Sequence, residues 1–182
     1  MAKHQGKLIV GTVATLRQEK NIPRLIRAFT QATTQIDARL VIVGNGPEYQ
    51  ALWELVQNNN LSEKVSMLGH RDDPSEIVKA FDVFAISSDT EQMPISVLEA
   101  MAAGVPVIQP SHGSFPEMID RTGGGISFAP NDAASLAESL TTLYQNTEMA
   151  ADLGRRSAIG VQQHYSVARM AERAVEVYSS LV

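Results

Sequence analysis

The chain has 182 residues, 44% of them hydrophobic and 19% charged, with a mean hydropathy of −0.07. That length suits one large domain or two small ones, and the balance excludes a disordered or collagen-like chain. Fifteen Lys and Arg against twenty Asp and Glu leave a net charge of −5, which offers no general attraction to nucleic-acid phosphate or anionic lipid; zero cysteines remove disulfides, thiolate metal sites and cysteine nucleophiles.

Lys7 to Val13 predicts a short β-branched strand, followed by a polar turn from Ala14 to Asn21. Ile22, Leu25, Ile26 and Phe29 then recur at helical spacing, with Asn21 as N-cap and Pro23 in the first turn. The order repeats with the strand Leu40 to Val43, the turn Gly44-Asn45-Gly46-Pro47, and a helix with Leu52, Leu55 and Val56 on its apolar face. Val65 to Leu68 is a third strand. Asp73 and Pro74 open a short helix containing Ile77 and Val78, and Val83 to Ile86 is a fourth strand. A polar loop leads to a helix from Ile95 to Ala103, then a fifth strand, Val105 to Ile108, and a sixth, Gly125 to Phe128. Beyond it the pattern is helical, from Ala133 to about Asn146 and from Ser166 to Leu181, with another helix between.

Strand and helix alternating through short connections imply an α/β fold: a Rossmann-like, doubly wound parallel sheet of about six strands, with helices on both faces. No linker-like stretch divides the chain, so residues 1–182 are expected to form one domain. The first residues, MAKHQGK, lack the apolar core of a secretory signal, and no apolar run approaches the roughly 18 residues of a membrane span. The cytoplasm is the expected compartment.

Ligands of such sheets bind at the carboxyl ends of the strands, which directs attention to the loops after Val13, Val43, Leu68, Ile86 and Ile108. In the run EQMPISVLE, Glu91 lies in a loop at a strand end, while Glu99 sits more than a turn into an otherwise apolar helix. An ionised carboxylate there either faces a polar cleft or a ligand hydroxyl, or lies on a solvated face. The amino terminus of the same helix offers unpaired amides and the positive end of a dipole to phosphate oxygens, although Pro94 removes one donor. The loop ATLRQEKN brings Thr15, Arg17 and Lys20 to the same edge, where cations neutralise a diphosphate unless they are simply solvated.

Other signals are weaker. Gly44-Asn45-Gly46-Pro47 permits close backbone approach but completes no dinucleotide fingerprint, and there is no phosphate-loop Gly-Lys-Ser/Thr. Gly123-Gly124-Gly125 reads as a turn. His4, in a fraying end, and His70, His112 and His164 show no metal-ligand spacing. Ser111-His112-Gly113-Ser114 reads as a strand-end loop because no Gly-x-Ser-x-Gly elbow surrounds either serine. No Asp-x-Asp pair follows a strand, so protein cations rather than a divalent ion are expected to hold a diphosphate.

The run SSDTEQMPISVLEAMAAGVPVI resembles the donor-binding motif of the family-four retaining glycosyltransferases of GT-B fold, and GTVATLRQEKNIPRLIRAF, LVIVGNGP, VSMLGHRDD and the turn Gly113 to Glu117 resemble other segments of that family in order. The resemblance implies the carboxyl-terminal, nucleotide-sugar-binding half of a two-domain enzyme, with the amino-terminal acceptor half absent from this chain. It implies that Glu99 accepts from ribose hydroxyls and that Glu91 faces hydroxyls of the transferred sugar. Met93, Ile95 and Ser96 would supply backbone groups to sugar and phosphate, Lys20 would bind the diphosphate, and His70-Arg71 would border the base. Gly44 and Gly46 would leave room for the nucleotide. Glu91 and Lys20 are the catalytic candidates, with no metal and no cofactor beyond the nucleoside-diphosphate sugar substrate. The acceptor, a glycan, lipid or small molecule, would come through the missing half, and peripheral membrane association of the parent is compatible with this.

Two positions depart from the family pattern. Thr15 stands where an arginine is common before Leu16, so either Arg17 substitutes or diphosphate affinity is lower; Gln92 stands where glycine often follows the first glutamate. Two other readings stay open: a sugar-nucleotide epimerase or hydrolase using Glu91 as acid or base, and a noncatalytic nucleotide-binding or interaction module in which Glu91 and Lys20 are ordinary surface charges. Met170, Ala174, Val177 and Leu181 form one stripe on the last helix, resembling the family's closing helix but equally fitting an ordinary core face.

Overall fold

The computed structural model describes residues 7–181; His4 lies outside them. Six strands form one sheet: β1 (Leu8–Val13), β2 (Ala38–Val43), β3 (Val65–Gly69), β4 (Val83–Ala85), β5 (Val107–Pro110) and β6 (Gly125–Phe128). Every pairing is parallel and the order is β3-β2-β1-β4-β5-β6. The helices are α1 (Ile22–Ala32), α2 (Tyr49–Asn58), α3 (Pro74–Val78), α4 (Ile95–Ala102), α5 (Phe115–Thr122), α6 (Ala133–Gln145), α7 (Thr147–His164) and α8 (Val167–Ser179).

The two-residue period of each strand divides the core. Leu40 and Ile42 of β2, Val83 and Ala85 of β4 and Ile108 of β5 point to a layer filled by α1, α2 and α6. Val43, Phe84, Ile86 and Val107 point to the opposite layer, with α3, α4, α5 and the Val161 end of α7. Helices on both faces leave no wet side, which is why the strands read as nearly continuous apolar runs. Asn21 caps α1 as the sequence predicts: its side chain accepts from the Arg24 amide at 3.2 Å.

Strand ends shift by one or two residues from expectation, β2 for example starting at Ala38 rather than Leu40, and three differences have a clear physical reason. The fifth strand begins at Val107, two residues later than read. Val105 donates back to the Ala100 carbonyl to close α4 after Gly104 (φ +75°), and Pro106 has no N–H for the ladder. The segment Gly113 to Glu117, read as a turn, leads instead into α5, which buries Phe115, Met118 and Thr122. Two turns of helix carry too short a period to stand out. Finally, α8 buries no residue: Met170, Val177 and Leu181 are 67%, 59% and 76% exposed, so the stripe is not a core face of this domain. Among the described residues no helix is long and apolar enough to cross a membrane.

Candidate functional site

The strand order reverses direction between β1 and β4, and a crevice opens where their carboxyl ends diverge. After β1 the chain runs over the turn that follows β2. Ala14 donates to Val43 O and Leu16 to Asn45 O, while Glu48 donates to Leu16 O. Leu16 is thereby sealed in the core and Thr15 is left at the rim. The crossing accounts for two glycines. A Cβ at Gly44, where φ is +133°, would stand 1.8 Å from the Ala14 carbonyl oxygen, and one at Gly46 would stand 2.5 Å from that of Leu16. The space beside both glycines is filled by backbone of the first loop.

A single 3-10 turn, Gln18–Lys20, then brings Lys20 inward. Its Nζ donates to Glu91 Oε1 at 2.5 Å, and the Ser88 hydroxyl donates to the same oxygen at 2.9 Å. The pair is mostly shielded, the side chains being 20% and 12% exposed. Lys20 and Glu91 are 71 residues apart in sequence, and neighbouring strands in the sheet make them adjacent.

Around this pair lies an open cavity of about 450 Å³, within the size range of small-molecule sites. Val13, Ala14 and Thr15 form one wall with Val43, Gly44 and Asn45; His70, Arg71 and Pro74 form another; Ile86, Glu91 and residues 93–96 close the third. Nine of the twelve residues singled out from the sequence line it: Thr15, Lys20, Gly44, His70, Arg71, Glu91, Met93, Ile95 and Ser96. Arg17 is exposed and Gly46 lies under Leu16, and neither lines the cavity. The second cation at its wall is therefore Arg71, not Arg17. Glu99 is half-buried one helical turn beyond Ile95 and Ser96 on the same face of α4, with no side-chain partner among the described residues. Val13, Ala14, Val43, Asn45, Pro74, Ile86 and Pro94 complete the wall without having been site candidates; all but Pro74 and Pro94, which open α3 and precede α4, lie at or just past the carboxyl ends of strands.

The electrostatics of the cavity wall suit an anion. Pro94 caps α4 and its carbonyl accepts from Val97 and Leu98; the amides of Ile95 and Ser96, residues that line the cavity, have no partner among the described residues and lie at the positive end of the helix. Opposite, the Arg71 guanidinium is steered by Asp73, Nε to Oδ1 at 3.2 Å, and that hydrogen bond holds the Asp73 carboxyl below its usual value of 3.8. His70 Nε2 lies 3.2 Å from an exposed Asp72 oxygen. The arrangement can receive a diphosphate between Lys20 and the α4 amides, with a hydroxyl-rich group against Glu91.

The family model described as "Glycosyl transferases group 1" matches residues 2–158. N-acetyl-alpha-D-glucosaminyl L-malate synthase of Bacillus anthracis is 28% identical over 174 residues, covering 96% of this chain and 46% of that protein. Among solved structures, HepE of Anabaena, crystallised in complex with UDP, superposes with a TM-score of 0.87 at 25% identity, over 96% of this chain and 49% of its own. Sucrose-phosphate synthase of Thermosynechococcus elongatus gives 0.84 at 26%, over 96% and 45%. The chain thus spans about half the length of the proteins it matches, and its sheet corresponds to one half of a GT-B fold.

Proposed function

The chain belongs to the group 1 glycosyl transferases, and on that footing we propose that residues 1–182 are the donor-binding, carboxyl-terminal domain of a retaining enzyme that transfers a sugar from a nucleoside diphosphate to an acceptor hydroxyl. The observation that carries this reading is the meeting of Lys20 and Glu91 across the β1/β4 crevice, beside the unpartnered amides of α4. UDP in the HepE crystal makes UDP the first nucleotide to try.

In this reading the diphosphate lies against Lys20 and the amides of Ile95 and Ser96. As the bond between anomeric carbon and phosphate oxygen breaks, these donors stabilise the charge gathering on the departing group, the contribution that usually dominates in such sites. The acceptor oxygen bonds to the anomeric carbon on the same face and passes its proton to a phosphate oxygen, so this half supplies no general base. Glu91 holds sugar hydroxyls and Glu99 the ribose. His70 and Arg71 border the base, and Gly44 and Thr15 floor the nucleotide. The acceptor, a glycan, lipid or small molecule, is held by a preceding domain of the parent protein, so this chain alone turns over none.

The test is thermal unfolding with and without nucleotide. UDP at 100 times its dissociation constant should stabilise the chain by about 2.7 kcal/mol, and Glu99→Ala should abolish that gain. No shift with UDP, GDP or ADP would refute the reading in favour of a noncatalytic interaction module. In the parent protein, product that requires acceptor supports transfer, whereas epimerised or hydrolysed donor without acceptor would point to acid-base chemistry at Glu91.

A further inference from the structure

Arg24 is 5% exposed, yet it neither lines the cavity nor belongs to the apolar face of α1. A buried guanidinium is tolerated only when its donors are taken up. Here three acceptors from two loops take them: Nη1 donates to the Ser87 carbonyl at 2.8 Å, and Nη2 donates to Asp89 Oδ1 at 2.6 Å and to Asn131 Oδ1 at 2.8 Å. Asn131 sits in the loop between β6 and α6 at φ +62°, a conformation its short side chain accepts readily.

The acceptors are themselves tied to the loop that carries Lys20. The Asn21 side-chain amide donates to Asp89 Oδ2 at 3.1 Å, the Asp89 amide donates to Glu19 O at 2.8 Å, and the Ser87 hydroxyl donates to the carbonyls of Lys20 and Asn21 at 3.0 Å each. Lys20 is flanked by two pinned residues, and Glu91 follows Asp89 by two. We infer that Arg24 is a positioning residue: its guanidinium locks the loop after β1 to the loop after β4 at the separation where the Lys20 ammonium meets the Glu91 carboxylate. The fork geometry matters, because a lysine ammonium is a point charge on a flexible stem and cannot reproduce this set of bonds in three directions.

The consequence for nucleotide binding rests on the donor-binding reading above; the positioning itself does not, and the experiment separates them. Two mild variants, Arg24→Lys and Asn131→Gly, guard against a chain that fails to fold. In the ligand-free chain, acetylation of Lys20 by a water-soluble reagent, followed by mass spectrometry, should accelerate about fivefold in Arg24→Lys and less in Asn131→Gly, since the ion pair no longer holds the amine; an unchanged rate overturns the inference. UDP affinity should fall about tenfold on Arg24→Lys in the native background, because the unpinned loop carries Lys20 out of reach of the diphosphate as well as of Glu91, but less than about twofold when Lys20→Met is already present, because the effect passes through Lys20. Equal losses in both backgrounds overturn it. A chain that binds none of UDP, GDP and ADP but shows the acetylation response rejects the donor-binding reading and supports the positioning role.

Discussion

Glu91 pairs with the cation that the proposed function assigns to the diphosphate, so Glu91→Gln should tighten binding of the free nucleoside diphosphate. Lys20 must leave a carboxylate 2.5 Å away before it can turn to phosphate, and with the side chains 20% and 12% exposed the attraction is only partly screened by water. Discounting for that exposure, the pair contributes about 1 to 2 kcal/mol, which corresponds to roughly 5- to 30-fold in affinity. A neutral amide keeps the shape and can still accept from the Ser88 hydroxyl, but it no longer competes for the ammonium. A sugar nucleotide behaves in the opposite way, because its hydroxyls lose a charged acceptor, a loss of about 1.5 to 3 kcal/mol. The preference for donor over product should therefore collapse by about two to four orders of magnitude. Calorimetric titration of the native chain and Glu91→Gln with UDP and a UDP-hexose measures both terms. UDP binding that stays equal or weakens in the variant would refute the reasoning.

Gly44→Ala should lower stability by more than about 3 kcal/mol in urea denaturation, since the new Cβ meets the Ala14 carbonyl oxygen at 1.8 Å in a backbone conformation of φ +133°; a loss below about 1 kcal/mol would contradict the crossing of the two loops. Burial pushes the Tyr165 phenol above its ordinary value of 10.0, the neighbouring Arg121 charge opposing this and Glu117 adding to it. The unfolded chain then releases that proton first, so stability is intact below pH 10 and falls as pH rises from 10 toward the folded value; Tyr165→Phe should flatten this alkaline decline in a denaturation series over pH, and an unaltered slope would exclude the tyrosine as its source. Truncation after Ser166 should leave the melting temperature unchanged, because α8 buries nothing in this domain, and should reduce any self-association seen by light scattering; a drop in melting temperature would show that α8 packs on the domain.

Much of this molecule is legible in its sequence because strand and helix periods are local properties. β-branched runs ending in glycine turns, the Asn21-x-Pro23 helix start and the EQMPISVLE run each announce themselves within a dozen residues, and together they identify the sheet and the loops at its carboxyl edge; His70, Arg71 and Met93 in the cavity wall came from the family resemblance instead. What one window cannot encode is which distant segments meet. Arg24 reads as an ordinary helical cation until closure of β1 beside β4 surrounds it with acceptors 63 to 107 residues away. Arg17 and Lys20 look alike in one polar loop, yet only the 3-10 turn and its bonds to Ser87 decide which enters the cavity. The glycines after β2 announce a turn, while the backbone that fills their space comes from the loop after β1. Periodicity assigns faces to elements; the hydrogen bonds and charges that build the site are satisfied only across strands brought together by the fold.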